Sequence, residues 1–251
     1  MDTKLKGKVA IVTGAARDVG REIALALAAE GAIVAVNYMK SREGAEAVVR
    51  DIEAAGGKAR AYQADVTDYA SVKAFADSVA KDWGSIDILV NNAGMVLRQK
   101  FLATGPEDWK QQIGVGLYGV IHTCHAVLPY MAKQKSGRII SLAGDSARVG
   151  ESGLSITAAS RSGAIAFTKS LAKEFGRDQV TVNAVTLGLV VTEHNPPEWL
   201  VANADRINRQ YPLGRIGRPG DVAPMVAFLA SDAARWITGQ VISVNGGYSM
   251  V

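Results

Sequence analysis

The sequence predicts a single α/β domain in which helices cover both faces of a parallel, doubly wound sheet. Three observations support this fold class. Short runs rich in Val, Ile and Ala alternate with longer Ala-rich amphipathic segments along the chain. Most of the helical segments are followed by a glycine, as helix ends often are. No Pro/Ser-rich or charged linker divides the 251 residues, of which 48% are hydrophobic, so we expect one domain over residues 1–251.

The β-branched runs predict seven strands of the kind that is buried on both sides in a parallel sheet. They span Lys8–Val12, Ile33–Asn37, Ala59–Gln63, Ile86–Val90, Arg138–Leu142, Val180–Thr186 and Gln240–Val244. Helical periodicity predicts six helices between them. These helices span Val19–Glu30, Glu43–Ala55, Tyr69–Asp82, Pro106–Lys133, Ser152–Phe175 and Asp221–Ala230. The segment Asn195–Arg218 is expected to form a loop and a short helix over the carboxyl ends of the strands, where a ligand lid would lie.

Composition and charge argue against several classes of function. The net charge is +4, but the Lys and Arg residues are scattered among acidic ones, so we do not expect nucleic-acid binding. The polar start, Met1 to Lys8, lacks the apolar core of a signal peptide, and no apolar run approaches the ~18 residues of a membrane span. Cys124 is the only cysteine, which excludes a disulfide framework. We expect a cytoplasmic protein without a membrane partner.

Glycine and asparagine motifs follow several of the predicted strands. The first strand leads into the turn Thr13 to Gly20, where a doubly wound fold binds phosphate at a helix N-terminus. Asp65-Val66 follows the third strand, Asn91-Asn92-Ala93-Gly94 follows the fourth, and Asn245-Gly246-Gly247 follows the last. Together these motifs span the chain and resemble the short-chain dehydrogenase/reductase family. The resemblance implies a Rossmann-type fold with a seven-stranded sheet, and an NAD(P) cofactor.

The nucleotide turn departs from the family pattern at Asp18. This residue replaces the middle glycine of the family's Thr-Gly-x-x-x-Gly-x-Gly turn, so a carboxylate lies where the backbone would approach a pyrophosphate. Asp18 is alternatively expected to cap the first helix in place of phosphate. Arg17, together with the segment Asn37 to Arg42 after the second strand, resembles the family's NADP-type arrangement of cations near a 2′-phosphate; alternatively, these are solvated loop charges. We expect no nucleotide or weakly bound NADP in this chain, at a remnant site of Gly14, Arg17, Asp65, Val66 and Asn92.

The residues that carry the family's chemistry are replaced at four positions. Family members have a Ser, a Tyr-x-x-x-Lys and an Asn. The Lys acidifies the Tyr, which exchanges a proton with the substrate oxygen, the Ser hydrogen-bonds that oxygen, and the Asn holds a relay water. The resemblance places these four roles on Gly144, Thr157, Arg161 and Gly116. Gly has no side chain, a Thr hydroxyl is far less acidic than a phenol, and Arg is not a compact, titratable cation. We therefore predict that this chain has no catalytic residue.

Other constellations are weaker candidates. Arg161 alone resembles the halohydrin dehalogenases, which share this fold, but their mechanism also needs the Tyr. His122, Cys124 and His125 have a spacing that suggests metal ligands, yet no carboxylate accompanies them, so no metal is expected. The family's Pro-Gly after the sixth strand is Leu187-Gly188 here. Further acid or base candidates, each with an ordinary structural interpretation, are Ser141, Ser146 and Tyr118.

A complete scaffold without the catalytic side chains favours a structural role. The resemblance implies a hetero-oligomer, expected to be a tetramer, with an active paralogue that binds NAD(P) and oxidises a hydroxyl. Two-subunit members of the family that act on hydroxyacyl-CoA in anaerobic toluene degradation are similar to this description. Two alternatives stay open: a homo-oligomeric pseudoenzyme that binds NADP or another ligand, and an enzyme of the same fold with non-standard chemistry.

Overall fold

The computed structural model describes residues 3–192 and 197–251, apart from the side chains of residues 197 and 199. A seven-stranded sheet forms the centre, in the order β3-β2-β1-β4-β5-β6-β7, and every strand pair is parallel. The predicted fold class is therefore confirmed. The strands are β1 (Val9–Val12), β2 (Ile33–Tyr38), β3 (Lys58–Gln63), β4 (Ile88–Asn91), β5 (Gly137–Gly144), β6 (Val180–Leu187) and β7 (Val241–Val244).

Helices pack on both faces of this sheet. They are α1 (Asp18–Ala29), α2 (Arg42–Ala54), α3 (Tyr69–Trp83), α4 (Pro106–Ile113), α5 (Gly119–Gln134), α6 (Ser146–Val149), α7 (Ser155–Phe175), α8 (Pro197–Asn208) and α9 (Pro219–Ala230). One core lies under α1, α2 and α9, and contains Ile23, Val48 and Val226. The second core lies under α3, α5 and α7, and contains Phe75 and Met131. Burial of apolar area in these two layers is the main force that holds the helices to the sheet.

The strands differ in burial according to their place in the sheet. β1 and β4 lie at the centre, and every residue in them is buried, which explains why their sequences are almost continuously apolar. β3 lies at the edge and exposes Lys58 and Arg60. Charged side chains on an edge strand discourage pairing with other chains.

The helix predicted over Pro106–Lys133 is not continuous. A π-turn over Gly114–Tyr118 separates α4 from α5. Glycines at positions 114, 116 and 119 weaken the α-helical preference of this stretch, which makes it the place where the helix can adopt another geometry. π-turns often occur beside functional sites, and this one contains Gly116.

Two other segments can be compared with their predicted bounds. The helix expected from Ser152 starts at Ser155, and the short helix α6 precedes it. In the expected lid Asn195–Arg218, residues 195 and 196 lie outside the described residues, and α8 forms a short helix as predicted. Within the described part of the chain, no helix is long and apolar enough to cross a membrane.

Parallel pairing brings the carboxyl ends of the central strands together. Val12 pairs with Val90, and Asn91 pairs with Ser141, so β1, β4 and β5 end at the same edge. In doubly wound sheets, ligands bind at this edge. The segments that follow these strands, from Thr13, from Asn92 and from Asp145, form the candidate site.

Candidate functional site

The nucleotide turn after β1 is braced by two asparagines. The Gly14 N–H donates to Asn37 Oδ1 at 3.1 Å. Asn92 Nδ2 donates to the Thr13 and Gly14 carbonyl oxygens at 3.0 and 3.1 Å. The Thr13 hydroxyl accepts from the backbone N–H groups of Asn92 and Ala93, both at 3.0 Å. The turn is therefore fixed to the ends of β2 and β4, and Asn92, which the sequence assigns to the cofactor site, holds the protein's own backbone.

Gly20 is required by close packing in this turn. A Cβ on Gly20 would lie 2.4 Å from the Gly14 carbonyl oxygen and 2.5 Å from Asn92 Nδ2. The first partner is backbone and cannot move aside cheaply. The last glycine of the predicted turn is therefore a steric requirement of the fold.

Asp18 occupies a left-handed backbone position, with φ of +51°. Glycine adopts this conformation without strain, and Asp is among the few other residues that tolerate it. The prediction that Asp18 is the cap residue is wrong by one position, because α1 begins at Asp18 and Arg17 is its N-cap. The carboxylate still lies in the first turn, at the positive end of the helix dipole, and the Arg17 Nε is 3.9 Å from it.

The other residues assigned to the nucleotide have local partners. Asp65 Oδ1 accepts from the backbone N–H and the hydroxyl of Thr67, at 2.9 and 2.8 Å. The Val66 carbonyl oxygen lies 3.0 Å from His122 Nδ1. Arg42 donates to Glu46 within α2 at 2.8 Å, so this cation of the expected NADP-type set is already paired.

Thr157, at the position that the resemblance gives to the catalytic Tyr, is buried in α7. Its hydroxyl donates to Gln112 Oε1 of α4 at 2.6 Å. The neighbouring Ser160 hydroxyl donates to the Gln112 carbonyl oxygen at 3.2 Å. Both hydroxyls of this helix face therefore bind α4 and stabilise the packing of two helices.

Arg161, at the position of the catalytic Lys, reaches the end of β5. Its Nη1 lies 2.6 Å from the point that a Cβ on Gly144 would occupy, and its Nη2 lies 3.4 Å from the corresponding point on Gly94. Burial lowers the pKa of the guanidinium, and no charged neighbour contributes to that shift. A serine at position 144 would require the guanidinium to move, so the glycine and the arginine share one space.

Gly116, at the position of the family's Asn, lies in the π-turn. A Cβ there would be 2.5 Å from the Ser160 hydroxyl. Any side chain at this position would require that hydroxyl to rotate and to give up its hydrogen bond to Gln112. The glycine is therefore matched to the polar contacts between α4 and α7.

Sequence reasoning missed Gln112. Gln112 is only 2% exposed. Within the described part of the chain, its Nε2 is one of the buried polar atoms that have no hydrogen-bond partner. A glutamine within a short amphipathic helix gives no local sign of burial, since it is an ordinary surface residue at such positions. The tertiary contact with Thr157 alone distinguishes it.

The histidines on α5 are bound to neighbours from other elements. His125 Nδ1 lies 2.7 Å from the Tyr69 hydroxyl, and His122 packs against the same ring. Cys124 is buried on the opposite side of the helix, beside Asn91, and burial raises the pKa of its thiol to about 12. Among the described residues, no group of three or more His, Cys, Asp or Glu is placed to hold a metal ion.

The three remaining acid or base candidates differ in environment. Ser141 is buried, and its hydroxyl accepts from Asn91 Nδ2 at 3.2 Å. Tyr118 is exposed and tilts against His122. The Ser146 hydroxyl lies 3.5 Å from the Cβ position of Gly144, on the same side as the Arg161 guanidinium.

Tyr211 packs against the segment that follows β6. Its ring carbon Cε1 is 3.0 Å from the Cβ position of Gly188, and its hydroxyl accepts from the Leu189 N–H at 2.8 Å. The ring stacks on Tyr248 with 5.3 Å between centroids. Burial raises the pKa of the Tyr211 phenol. The segment after Leu187 is thus held by packing and by a neutral phenol.

Comparisons with known proteins agree with this architecture. The family model described as enoyl-(acyl carrier protein) reductase matches residues 14–249. The 3-oxoacyl-[acyl-carrier-protein] reductase FabG of Staphylococcus aureus is 43% identical over 97% of this chain and 98% of its own length. The 3-oxoacyl-[acyl-carrier-protein] reductase of Synechocystis sp. is also 43% identical, over 99% of both chains. The crystal structure of a dehydrogenase/reductase from Sinorhizobium meliloti 1021 is 33% identical, with a TM-score of 0.93 over 99% of this chain and 98% of that one. The chain therefore belongs to the short-chain dehydrogenase/reductase family of oxidoreductases.

Proposed function

We propose that this chain is a non-catalytic subunit of a short-chain dehydrogenase/reductase complex. The observation that carries the proposal is the contact between Thr157 and Gln112. At the position of the family's Tyr, a buried aliphatic hydroxyl is committed to a 2.6 Å hydrogen bond with the neighbouring helix. A group of this kind neither ionises near neutral pH nor reaches a substrate oxygen, so it cannot act as the general acid or base.

The side chains around Thr157 support the same conclusion. Gly144 offers no hydroxyl to a substrate oxygen, and Gly116 offers no amide for a relay water. The Arg161 guanidinium stays protonated at any working pH, even with its pKa lowered by burial. This end of the site therefore lacks the family's proton-transfer groups, and no redox step is assigned to this chain.

The proposed partner is an active paralogue that retains the Tyr-x-x-x-Lys residues and binds NAD(P). In such a complex the partner's Tyr would accept the proton of the substrate hydroxyl, its Lys would hold that Tyr in an acidic state, and bound NAD(P) would supply the hydride acceptor. The relatives named as 3-oxoacyl-[acyl-carrier-protein] reductases support an acyl thioester as the substrate class. A hydroxyacyl-CoA, as in anaerobic toluene degradation, is the proposed form of that substrate, and a cytoplasmic heterotetramer is the proposed assembly.

Native mass spectrometry of the chain isolated from its own cells tests the proposal. We expect a mixed oligomer in which only the partner carries NAD(P). A homo-oligomer with nucleotide on every chain would overturn the proposal.

Activity of the isolated chain provides a second test. The double variant Thr157→Tyr/Arg161→Lys is expected to remain without NADPH-dependent turnover of 3-oxoacyl thioesters, because Gly144, Gly116 and Asp18 remain. The matched single variant Lys169→Gln, which lies on the exposed face of the same helix, serves as the control for folding and yield. Turnover well above background by the double variant would show that the rest of the site is competent.

A second candidate function is a homo-oligomeric pseudoenzyme that binds NADP. The braced turn around Gly14 favours it, since the Asn37 and Asn92 contacts hold the backbone in a fixed shape. Arg17 is half-exposed beside this turn. Thermal stabilisation of the isolated chain by NADP, lost in Arg17→Gln, would support this candidate.

A further inference from the structure

The Arg161 guanidinium is a cation without a counterion. It makes no hydrogen bond or ion pair with any residue in ranges 3–192 and 197–251, and burial is the only cause of its lowered pKa. A desolvated charge without a partner is costly, and proteins normally pair such groups with a carboxylate or with several hydrogen-bond acceptors. The nearest carboxylate along the chain from Gly144, that of Asp145, is bonded to Ser249 at 2.8 Å and to Asn245.

A second polar group faces the same space. The Ser146 hydroxyl and the Arg161 Nη1 lie 3.5 and 2.6 Å from one point, the Cβ position of Gly144. Ser146 is 7% exposed, and its hydroxyl makes no hydrogen bond within the described part of the chain. Two donors without a protein partner thus lie close together at the carboxyl end of β5, which is the edge of the sheet where this fold binds its ligands.

From this geometry we propose that Arg161 and Ser146 form a binding site for the carboxylate group of a small molecule. A guanidinium presents a planar fork that matches a carboxylate with two parallel hydrogen bonds. The site has one cation and no second charge acting on it, so it suits a monoanionic group better than a phosphate dianion. The two residues that the fork approaches, Gly94 and Gly144, have no side chains that could cover it.

This inference rests on the proposed function, because an active chain would need the same space for its substrate oxygen. It goes further by giving the cleft a ligand of defined chemistry. The carboxylate-bearing molecule would occupy the cleft without being turned over, and would stabilise the chain by neutralising Arg161.

Titration calorimetry on the purified full chain, at constant ionic strength, tests the site. Acetate and succinate are the probes, succinamide is the uncharged match for succinate, and inorganic phosphate is the competing anion. We expect one carboxylate per chain, no heat with succinamide, and phosphate weaker than succinate. The variant Arg161→Gln should raise the Kd about tenfold or more, and Ser146→Ala several-fold, as expected for loss of a charged and a neutral hydrogen bond.

Two further variants keep this test decisive. Arg161→Lys retains the charge but loses the planar fork, so its Kd should lie between those of the wild type and Arg161→Gln. Lys169→Gln removes an exposed positive charge from the same helix and should leave the Kd unchanged. An unchanged Kd in Arg161→Gln, equal binding of succinamide, tighter binding of phosphate, or no carboxylate binding at all would each overturn the inference. None of these results bears on the subunit composition, which native mass spectrometry decides separately.

Discussion

Replacing Arg161 by Met is expected to stabilise the chain in the absence of ligand. Methionine keeps most of the apolar stem and removes the guanidinium, which has no counterion among the described residues. Replacing buried charged groups by apolar residues of similar volume has effects between neutral and about 4 kcal/mol of stabilisation. Arg161 is only partly buried by accessible surface, so we expect the lower part of that range, about 1 kcal/mol. For a chain of this length that corresponds to a rise in Tm of roughly 2–4 °C.

Urea unfolding in a buffer free of carboxylates measures this effect. Lys169→Met, on the exposed face of the same helix, is the matched control and should change the free energy of unfolding by less than about 0.5 kcal/mol. Succinate at 100 times its Kd should stabilise the wild type by about 2.7 kcal/mol and leave Arg161→Met unchanged. A lower urea midpoint for Arg161→Met than for the wild type would refute the reasoning, because it would mean that the guanidinium makes a stabilising contact.

Three more predictions concern other parts of the structure. Thr157→Val should lower the free energy of unfolding by about 1–3 kcal/mol, because it leaves Gln112 Oε1 buried without its hydrogen-bond donor. In urea unfolding, the double variant Thr157→Val/Gln112→Leu should regain most of that free energy. Gly20→Ala should destabilise by about 1–3 kcal/mol, since the added Cβ meets a backbone carbonyl oxygen at 2.4 Å; an unchanged urea midpoint would contradict this. The pKa of Asp221 is lowered to about 2, mainly by Arg215, so its stabilising effect is present above pH 3.8 and is lost as the pH falls toward 2. Asp221→Asn should therefore be less stable than the wild type at pH 7, and this difference in the free energy of unfolding should shrink as the pH falls from about 4 to 2; a difference at pH 2 as large as at pH 7 would argue against the ion pair.

Much of the fold could be predicted from local sequence. The strands carry β-branched runs, and a run such as Val9–Val12 is buried whatever its neighbours, because it lies at the centre of a parallel sheet. Gly84 ends α3 in the left-handed conformation, as its place after an amphipathic segment indicates. The π-turn at Gly114–Tyr118 was not predicted, because helical periodicity does not distinguish a π-turn from the α-helix that surrounds it.

The identities of the site positions also came from the sequence, since the motifs around Gly14, Asn92 and Gly144 fix the register of the whole chain. What the side chains at those positions do was decided by the tertiary structure. Thr157 and Gln112 are 45 residues apart in the chain, and only the crossing of α4 and α7 brings them together. Arg161 reaches Gly144 and Gly94 only because α7 packs beside the segments at the ends of β5 and β4. Secondary-structure propensity and hydrophobic periodicity act over a few residues, so the sequence alone determined the strands, the helices and the positions of the site. The contacts of Thr157 and Arg161 depend on how distant elements pack, so only the tertiary structure decided them.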